Sequence, residues 1–387
     1  MRKLLLGLPV FLTGLFCTAS VSFAGEEAAS KIDSGDTAWM LISSALVMLM
    51  IPGLALFYGG LSRRKNVLNS IMMSFVALGV ITIQWILWGY SLAFGDDIGG
   101  FIGDLKFFAL SGVDLAPSGF AETIPHQAFM VFQMMFAIIT PALITGAFAE
   151  RFKFSTYLVF IVVWATLVYD PLCHWVWGGG WVGGMGALDF AGGLVVHISS
   201  GVSGLACALV LGKRKGYPTE PMPPHNMTLV ILGAALLWFG WFGFNAGSAL
   251  SSGSGATGAF VTTQIATGAA VLGWVIAEWM HDGKPTVLGA ASGAVAGLVA
   301  ITPAAGFIGP ISSIVVGGVA GALCYTAVVA KGKFGYDDSL DAFGIHGIGG
   351  TWGAIATGLF AVAAVGGADG LFFGNAGQLV TQLVSIA

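Results

Sequence analysis

Residues 67–94 read VLNSIMMSFVALGVITIQWILWGYSLAF, a stretch that contains no Asp, Glu, Lys or Arg. The basic residues 63–65 precede it and the acidic residues 96–97 follow it. A helix needs about 20 apolar residues to cross the roughly 30 Å hydrocarbon core of a bilayer. Inside that core only helices and closed barrels satisfy every backbone hydrogen bond. The stretch therefore predicts a membrane-spanning helix.

The composition extends this prediction to the whole chain. Of 387 residues, 15 are Lys or Arg and 19 are Asp or Glu, so 9% are charged, against about 25% in a soluble domain. Hydrophobic residues make up 56%, which is more apolar surface than a soluble globule can hide. These values exclude a disordered protein, a soluble enzyme and a nucleic-acid-binding protein, which needs a basic stripe. Continuous apolar runs also argue against an outer-membrane barrel, whose strands alternate apolar and polar residues.

Similar apolar runs recur along the chain and predict an all-α, polytopic membrane protein with eleven transmembrane helices. The predicted spans are residues 37–61, 67–94, 126–148, 154–174, 189–211, 226–247, 257–280, 287–304, 307–330, 340–362 and 370–387. Gly occupies 59 positions, which is typical of helices that pack closely in a membrane.

The distribution of Lys and Arg predicts the orientation of these spans. With the N-terminus outside, only Lys31 and Lys106 fall in outer loops after the N-terminal signal. The basic residues of the inner loops are Arg63, Arg64, Lys65, Arg151, Lys153, Lys213, Arg214, Lys215, Lys284, Lys331 and Lys333. Cytoplasmic loops of membrane proteins carry such an excess, so we expect the N-terminus outside and the C-terminus inside.

The N-terminus has the pattern of a secretory signal peptide. Two basic residues precede the apolar run 4–16, and the small-residue site Ser22-Phe23-Ala24 follows it. Residues 1–24 are therefore expected to be removed, which leaves residues 25–387 as the membrane domain. The alternative is an uncleaved first helix, although the run is short for a span.

Two histidines, His197 and His346, lie well inside predicted spans, where a titratable side chain is costly and marks a functional position. Each is followed by glycine four and seven residues later, and their spans are the fifth and the tenth. An offset of five spans reverses the direction through the membrane, as in inverted repeats whose interface holds the substrate path. We therefore predict two five-helix halves, residues 37–211 and 226–362, followed by a last helix, 370–387. The alternative is that both histidines are structural groups.

Helix geometry tests whether the two histidines can meet. His197 follows Asp189 by about 12 Å and His346 follows Asp341 by about 8 Å, at 1.5 Å per residue from the outer and the inner helix start. In a core of about 30 Å they meet only if the boundaries shift by a turn. Asp189 is itself predicted to be the N-cap of the fifth span; the alternative is a role in the outer vestibule.

The remaining polar residues do not predict catalysis. Cys173, Cys207 and Cys324 remain after cleavage, and no pair of them has the spacing of a metal site. We find no nucleophile–base pair in the predicted core. We therefore expect no enzyme activity, no cofactor and no metal ion.

Several motifs resemble those of the family of ammonium transporters, methylammonium permeases and Rhesus proteins. Asp189-Phe190-Ala191-Gly192-Gly193, followed by Val195-Val196-His197, resembles its fifth-helix motif. Further signatures are Phe57-Tyr58-Gly59-Gly60, Val176-Trp177-Gly178-Gly179-Gly180, Gly243-Phe244-Asn245-Ala246-Gly247-Ser248 and Phe343-Gly344-Ile345-His346-Gly347-Ile348-Gly349-Gly350. The match begins at about residue 37 and runs to the end in the family's order. It is closer to the bacterial ammonium transporters than to the Rhesus branch.

The resemblance implies a fold, an assembly and a location. Members have eleven helices in two inverted halves, form homotrimers with one pore in each subunit, and cross the lipid bilayer of the bacterial inner membrane many times. Their cytoplasmic tail receives trimeric nitrogen-signalling proteins. This sequence stops at Ala387, at the end of the last predicted span, and that departure weakens the expectation of such a partner.

The resemblance also implies an outer binding site for ammonium or methylammonium, made of Phe136, Trp177 and Ser248 with Asp189 as its support. Aromatic faces attract a cation by about 0.5–2 kcal/mol, and they attract potassium as well. Only ammonium donates hydrogen bonds to the hydroxyl of Ser248 and then loses a proton. These two properties are expected to provide the selectivity.

Below the outer site the resemblance implies a gate, Phe136 stacked on Phe244, and a pore lined by His197, His346 and Trp241. A narrow apolar pore is costly for a bare ion, whereas neutral ammonia passes more easily. Imidazoles exchange hydrogen bonds and relay protons. The implied function is an ammonium transporter that deprotonates ammonium and conducts ammonia, with or without a separately relayed proton.

Two other functions use the same fold. An ammonium sensor passes its signal to an appended domain, and nothing in the 387 residues resembles a kinase or a cyclase. A passive ammonia gas channel needs the same residues as a transporter. An ammonium-dependent current distinguishes a carrier of charge from either alternative.

Overall fold

The computed structural model describes residues 32–387. The predicted signal peptide, residues 1–24, lies outside the described residues and stays a prediction. Most of the described chain is helical. The loop between the second and third helices, which is predicted to lie outside and is called the outer loop below, contains two short antiparallel hairpins. In these, β1 (Asp97–Ile98) pairs with β2 (Ile102–Gly103) and β3 (Pro117–Ser118) pairs with β4 (Ala121–Pro125).

Eight helices among the described residues are long and apolar enough to cross a membrane. They are α1 (Ser34–Leu61), α2 (Arg64–Phe94), α3 (His126–Phe148), α4 (Phe154–Gly184), α5 (Gly193–Leu211), α6 (Met227–Gly247), α7 (Ser254–Asp282) and α9 (Pro310–Phe334). The other three predicted spans correspond to shorter helices, which are α8 (Val287–Ile301), α10 (Phe343–Gly347 continued by Ile348–Phe360) and α11 (Ala376–Ile386). The polytopic helical fold is therefore confirmed, whereas the count of eleven spans and their orientation stay predictions.

Four of these helices contain a π-helical turn. The turns are Trp85–Gly89 in α2, Ala165–Tyr169 in α4, Gly193–Ile198 in α5 and Phe343–Gly347 in α10. Such turns are rare and occur frequently at functional sites. Two of them carry the histidines singled out in the sequence, His197 and His346.

Several helix boundaries differ from the predicted ones by about a turn or more. The last span, for example, was expected to begin at residue 370, whereas α11 begins at Ala376. Two other differences lie near the candidate site. The fourth span was expected to end at residue 174, whereas its helix continues to Trp177 and, after a break at residues 178–180, a short helix follows at Trp181–Gly184. The fifth was expected to begin with Asp189 as N-cap, whereas α5 begins at Gly193 and Gly192 occupies the N-cap position at φ 110°. Asp189 still caps this helix, but it does so from three residues further upstream, through its carboxylate.

Small residues allow the helices to pack closely around a buried centre. α3 is enclosed on nearly all sides. α1 and α6 approach so closely that a Cβ atom on Gly233 would lie 2.3 Å from the backbone nitrogen of Phe57. Large apolar side chains such as Leu41, Leu68 and Leu167 are instead exposed on the outside of the bundle, as expected of a surface in contact with lipid.

A buried ion-pair cluster joins three loops at the end of the bundle that is predicted to face the cytoplasm. Asp337 lies between α9 and α10, and its carboxylate accepts hydrogen bonds from the backbone N–H (2.7 Å) and the guanidinium (2.8 Å) of Arg214. Arg151 donates a further hydrogen bond at 3.1 Å. Burial raises the pKa of Asp337, but the hydrogen bonds and the charge of Arg214 outweigh burial, so the pKa lies below its ordinary value.

Candidate functional site

The two intramembrane histidines meet in the interior of the bundle. Nδ1 of His197 and Nδ1 of His346 lie 3.2 Å apart, and the two imidazole rings stack with their centroids 5.3 Å apart at an interplanar angle of 23°. Both side chains are buried. Because one Nδ1 must donate and the other accept in a neutral pair, one ring presents Nε2 as an acceptor and the other presents Nε2–H as a donor.

The repeated glycines explain why the histidine-bearing helices come this close. A Cβ atom on Gly201, one turn after His197, would lie 2.2 Å from the backbone nitrogen of Gly347. A Cβ atom on Gly350, one turn after His346, would lie 3.0 Å from Cβ of His197. The glycine found four residues after each histidine is thus the residue on which α5 and α10 contact each other.

The depth estimated from the sequence does not describe this contact. His197 lies four residues after Gly193 and His346 three residues after Phe343, so they are about 6 Å and 4.5 Å from their helix starts at 1.5 Å per residue. Both histidines are thus closer to their helix starts than predicted, and yet their Nδ1 atoms are 3.2 Å apart. The two helices therefore do not start at opposite faces of a core of about 30 Å, as the estimate assumed.

Aromatic rings lead from the histidine pair toward the outer loop. His197 stacks on Trp241 and on Phe244, with centroid separations of 5.4 Å and 6.0 Å. Phe244 lies against Phe136 at 4.2 Å, and Phe136 contacts the ring of Trp177 edge-on at 6.0 Å. The structure thus brings the predicted aromatic residues and the two histidines together in one continuous line.

A cavity of about 300 Å³, called the outer cavity below, opens at the end of this row of aromatic rings that is further from the histidines. Phe136, Trp177 and Ser248 all line it. The Ser248 hydroxyl donates its proton to the carbonyl oxygen of Phe244 at 2.9 Å. Both lone pairs of the hydroxyl oxygen are therefore left to accept hydrogen bonds from a ligand in the cavity.

Asp189 supports the cavity from behind and does not itself line it. Its carboxylate accepts four backbone N–H groups at the start of α5, from residues 192–195, at 2.6–3.3 Å. Its backbone carbonyl accepts the indole N–H of Trp177 at 2.9 Å. Asp189 thus fixes the position of the Trp177 ring relative to the first turn of α5.

Gln133 also lines the outer cavity and was missed in the sequence. It lies one turn before Phe136 on α3, it is buried, and its Oε1 atom has no hydrogen-bond partner among residues 32–387. An uncharged polar residue inside an apolar span was the available signal. On the other side of the histidines, Tyr58 and Asp341 help to line a narrow cavity of about 10 Å³ that reaches His346.

Comparisons with known proteins identify the family. The family profile described as Ammonium Transporter Family matches residues 38–387. An ammonium transporter of Bacillus subtilis is 57% identical over 358 residues, which cover 91% of this chain and 87% of the relative.

Solved structures with a similar fold come from the same kind of protein. Mep2 of Saccharomyces cerevisiae superposes with a TM-score of 0.88 at 40% identity and covers 93% of this chain and 83% of its own. A structure described as a sensor Amt protein superposes with a TM-score of 0.85 at 27% identity, and the match covers 91% of this chain and 88% of that protein's chain. The resemblance seen in the motifs is thereby confirmed, and the chain belongs to the ammonium transporter family.

Proposed function

We propose that this protein transports ammonium across the membrane, by binding the cation in the outer cavity, removing a proton and conducting ammonia past the paired histidines. The observation that carries the proposal is the stacked, hydrogen-bonded pair of His197 and His346 at the inner end of an aromatic line that starts in that cavity. The relatives named above as ammonium transporters supply the substrate.

Recognition of the cation is assigned to Phe136, Trp177 and Ser248. The two aromatic rings meet edge to face, and a cation beside them gains about 0.5–2 kcal/mol. The free lone pairs of Ser248 accept an N–H from ammonium. Potassium fits the aromatic rings but has no N–H to donate, so the hydroxyl favours ammonium and methylammonium over potassium.

Passage beyond the cavity requires loss of the charge. The rings of Phe136 and Phe244 close the path at 4.2 Å between centroids, and a bare ion between apolar rings would be unsolvated. Ammonium therefore gives one proton either to solvent at the open cavity or to Nε2 of His197, and continues as neutral ammonia. The Nε2 atom of His197 has no protein partner in the described part of the chain, so it is free to exchange a hydrogen bond with ammonia or to receive the proton.

The proposal includes the inverted repeat predicted from the sequence. Asp338 relates to α10 as Asp189 relates to α5, because its carboxylate accepts the N–H groups of Ala342 and Phe343 where the π-helical turn begins. Matching caps, π-turns, histidines and glycines in the two halves support a common origin of their geometry. We further propose a homotrimer in a bacterial inner membrane with the N-terminus outside, as the family resemblance implies.

Solid-supported-membrane electrophysiology on the purified protein in proteoliposomes tests the proposal. An ammonium pulse is expected to give a saturable current, and a potassium pulse of equal concentration is expected to give none. Protein-free liposomes are the control. If ammonia equilibrates rapidly without current, the protein is a gas channel; if neither current nor flux exceeds the control, transport is excluded and a sensing role remains.

A further inference from the structure

Two glutamines of α11 hold the loop that precedes Asp189. The side chain of Gln382 pairs with both backbone groups of Leu188: its Oε1 accepts the Leu188 N–H at 2.7 Å and its Nε2 donates to the Leu188 carbonyl at 2.8 Å. Nε2 of Gln378 donates to the carbonyl of Gly186 at 3.0 Å. Both glutamines are buried, although α11 lies at the far end of the chain from this loop.

The pairing fixes the orientation of the Gln382 amide. Its Nε2 faces two carbonyl oxygens, those of Leu188 and of Ala354 in α10, while its Oε1 faces an N–H. Every atom of the amide is therefore matched to a group of opposite hydrogen-bonding character. A buried amide satisfied in this way holds the backbone that it contacts in one position.

Leu188 is joined by one peptide bond to Asp189, and Asp189 holds the outer cavity. The Asp189 carbonyl accepts the indole N–H of Trp177, and its carboxylate caps the first turn of α5. A displacement of Leu188 therefore moves the acceptor that sets the ring of Trp177. The contacts run in sequence from Gln382 through Leu188 and Asp189 to Trp177.

We propose that Gln382 is a positioning residue for the outer ammonium site. The inference rests on the proposed function, because it assigns to the last helix a part in binding the cation. Gln382 does not contact the cavity itself. It acts by holding the Leu188–Asp189 backbone. Gln378 makes a smaller contribution, because its contact with Gly186 lies further from Asp189 and its hydrogen bond to Oε1 of Gln382 is 3.3 Å long.

The test compares three variants of the full chain. Gln382→Met keeps the length and approximate volume of the side chain and removes the amide; Gln378→Met does the same one turn earlier. Thr381→Val is the matched control, because it removes a hydroxyl from the same helix turn that takes part in none of these hydrogen bonds. Each variant is purified, its oligomeric state is checked, and currents are recorded over a range of ammonium concentrations.

For Gln382→Met we expect the half-saturating ammonium concentration to rise about fivefold, equal to about 1 kcal/mol at 1.4 kcal/mol per tenfold, with the maximal current unchanged. Gln378→Met is expected to give about a twofold rise, since it removes the hydrogen bond to Gly186, which is further from Asp189, and a longer one of 3.3 Å to Oε1 of Gln382. Thr381→Val is expected to give no change. A lower maximal current with unchanged half-saturation would show that Gln382 only anchors α11, and the inference would be overturned. Unchanged values of both quantities would overturn it too.

Hydrogen exchange of residues 186–195, followed by mass spectrometry, gives a readout that does not depend on transport. Because the Leu188 N–H is bonded to Gln382, its exchange in Gln382→Met is expected to be about fivefold faster, as the loss of a hydrogen bond of about 1 kcal/mol requires. If the wild-type protein carries no ammonium current, the proposed function fails. The exchange measurement still shows whether Gln382 holds the Leu188 backbone. Equal exchange in wild type and variant would refute the positioning role.

Discussion

Replacement of Gly201 by alanine should separate the paired histidines without removing either of them. In the native structure a Cβ atom at this position would lie 2.2 Å from the backbone nitrogen and 2.5 Å from the Cα atom of Gly347. Non-bonded atoms of this size keep about 3.5 Å between them. Since both obstructing atoms belong to the backbone, no side-chain rotation relieves the overlap, and α5 and α10 must move apart by about 1 Å.

That displacement breaks the hydrogen bond between the two histidines. The Nδ1 atoms of His197 and His346 are 3.2 Å apart in the native protein, so a separation of about 1 Å takes them beyond hydrogen-bonding distance. Overpacking of this kind costs about 1–3 kcal/mol of stability, which a large membrane protein can tolerate. We therefore expect a folded variant whose two imidazoles no longer share a proton.

The assay is the ammonium-dependent current of Gly201→Ala in proteoliposomes, normalised to the amount of correctly assembled protein. We expect the maximal current to fall by about tenfold or more, because a misplacement of about 1 Å at a reacting group has effects of this size. Gly79→Ala in α2 is the matched control, since its Cβ atom would meet nothing within 4 Å. A Gly201→Ala protein with the current and the thermal stability of the wild type would refute the argument that this glycine sets the histidine pair.

Three further outcomes are expected. His197→Ala combined with His346→Ala should abolish the proton-linked current or let potassium pass through a widened, wetter pore; wild-type current with unchanged ammonium-over-potassium selectivity would make the histidines structural. Trp177→Leu should raise the half-saturating concentrations of ammonium and methylammonium by roughly two- to thirtyfold, which is the equivalent of about 0.5–2 kcal/mol for a cation–π contact. An unchanged concentration dependence would remove Trp177 from the binding site. Asp337→Asn should destabilise the protein by about 3 kcal/mol at pH 7, since Arg214 and Arg151 lose their buried partner. Because the folded-state pKa of Asp337 is depressed, its contribution to the stability of the protein is present above the unfolded pKa and is lost as the pH falls through the folded pKa. The thermal unfolding temperatures of wild type and variant should therefore converge in acid. A difference that does not depend on pH would contradict the ion-pair assignment.

The sequence alone established the membrane character of the chain and the residues worth examining. Charge-free runs such as residues 67–94 are a local property, and the bilayer makes their helical structure nearly obligatory. His197 and His346 were also conspicuous, because a titratable side chain inside an apolar run is costly. The motifs around them were sufficient to recognise the family, which the profile match and the relatives confirm.

The sequence was less informative about helix ends. α5 starts at Gly193 and not at residue 189 because the Asp189 carboxylate folds back on four N–H groups, and hydropathy does not register such a cap. The helix of the fourth span continues to Trp177, and a short helix follows at Trp181–Gly184, although this region is rich in glycine and tryptophan. These shifts are small in sequence, but they show that a depth counted from predicted helix ends does not locate the two histidines relative to each other.

Only the tertiary structure decided which residues act together. The contact between His197 and His346 joins positions 149 residues apart, and the pairing of Gln382 with Leu188 joins positions 194 residues apart. Burial of Gln133 beside the outer cavity likewise depends on how α3 packs against its neighbours. Hydrophobicity and helix propensity are properties of short segments, whereas the positions of polar groups inside the bundle depend on close backbone contacts between distant helices, and no local pattern contains them.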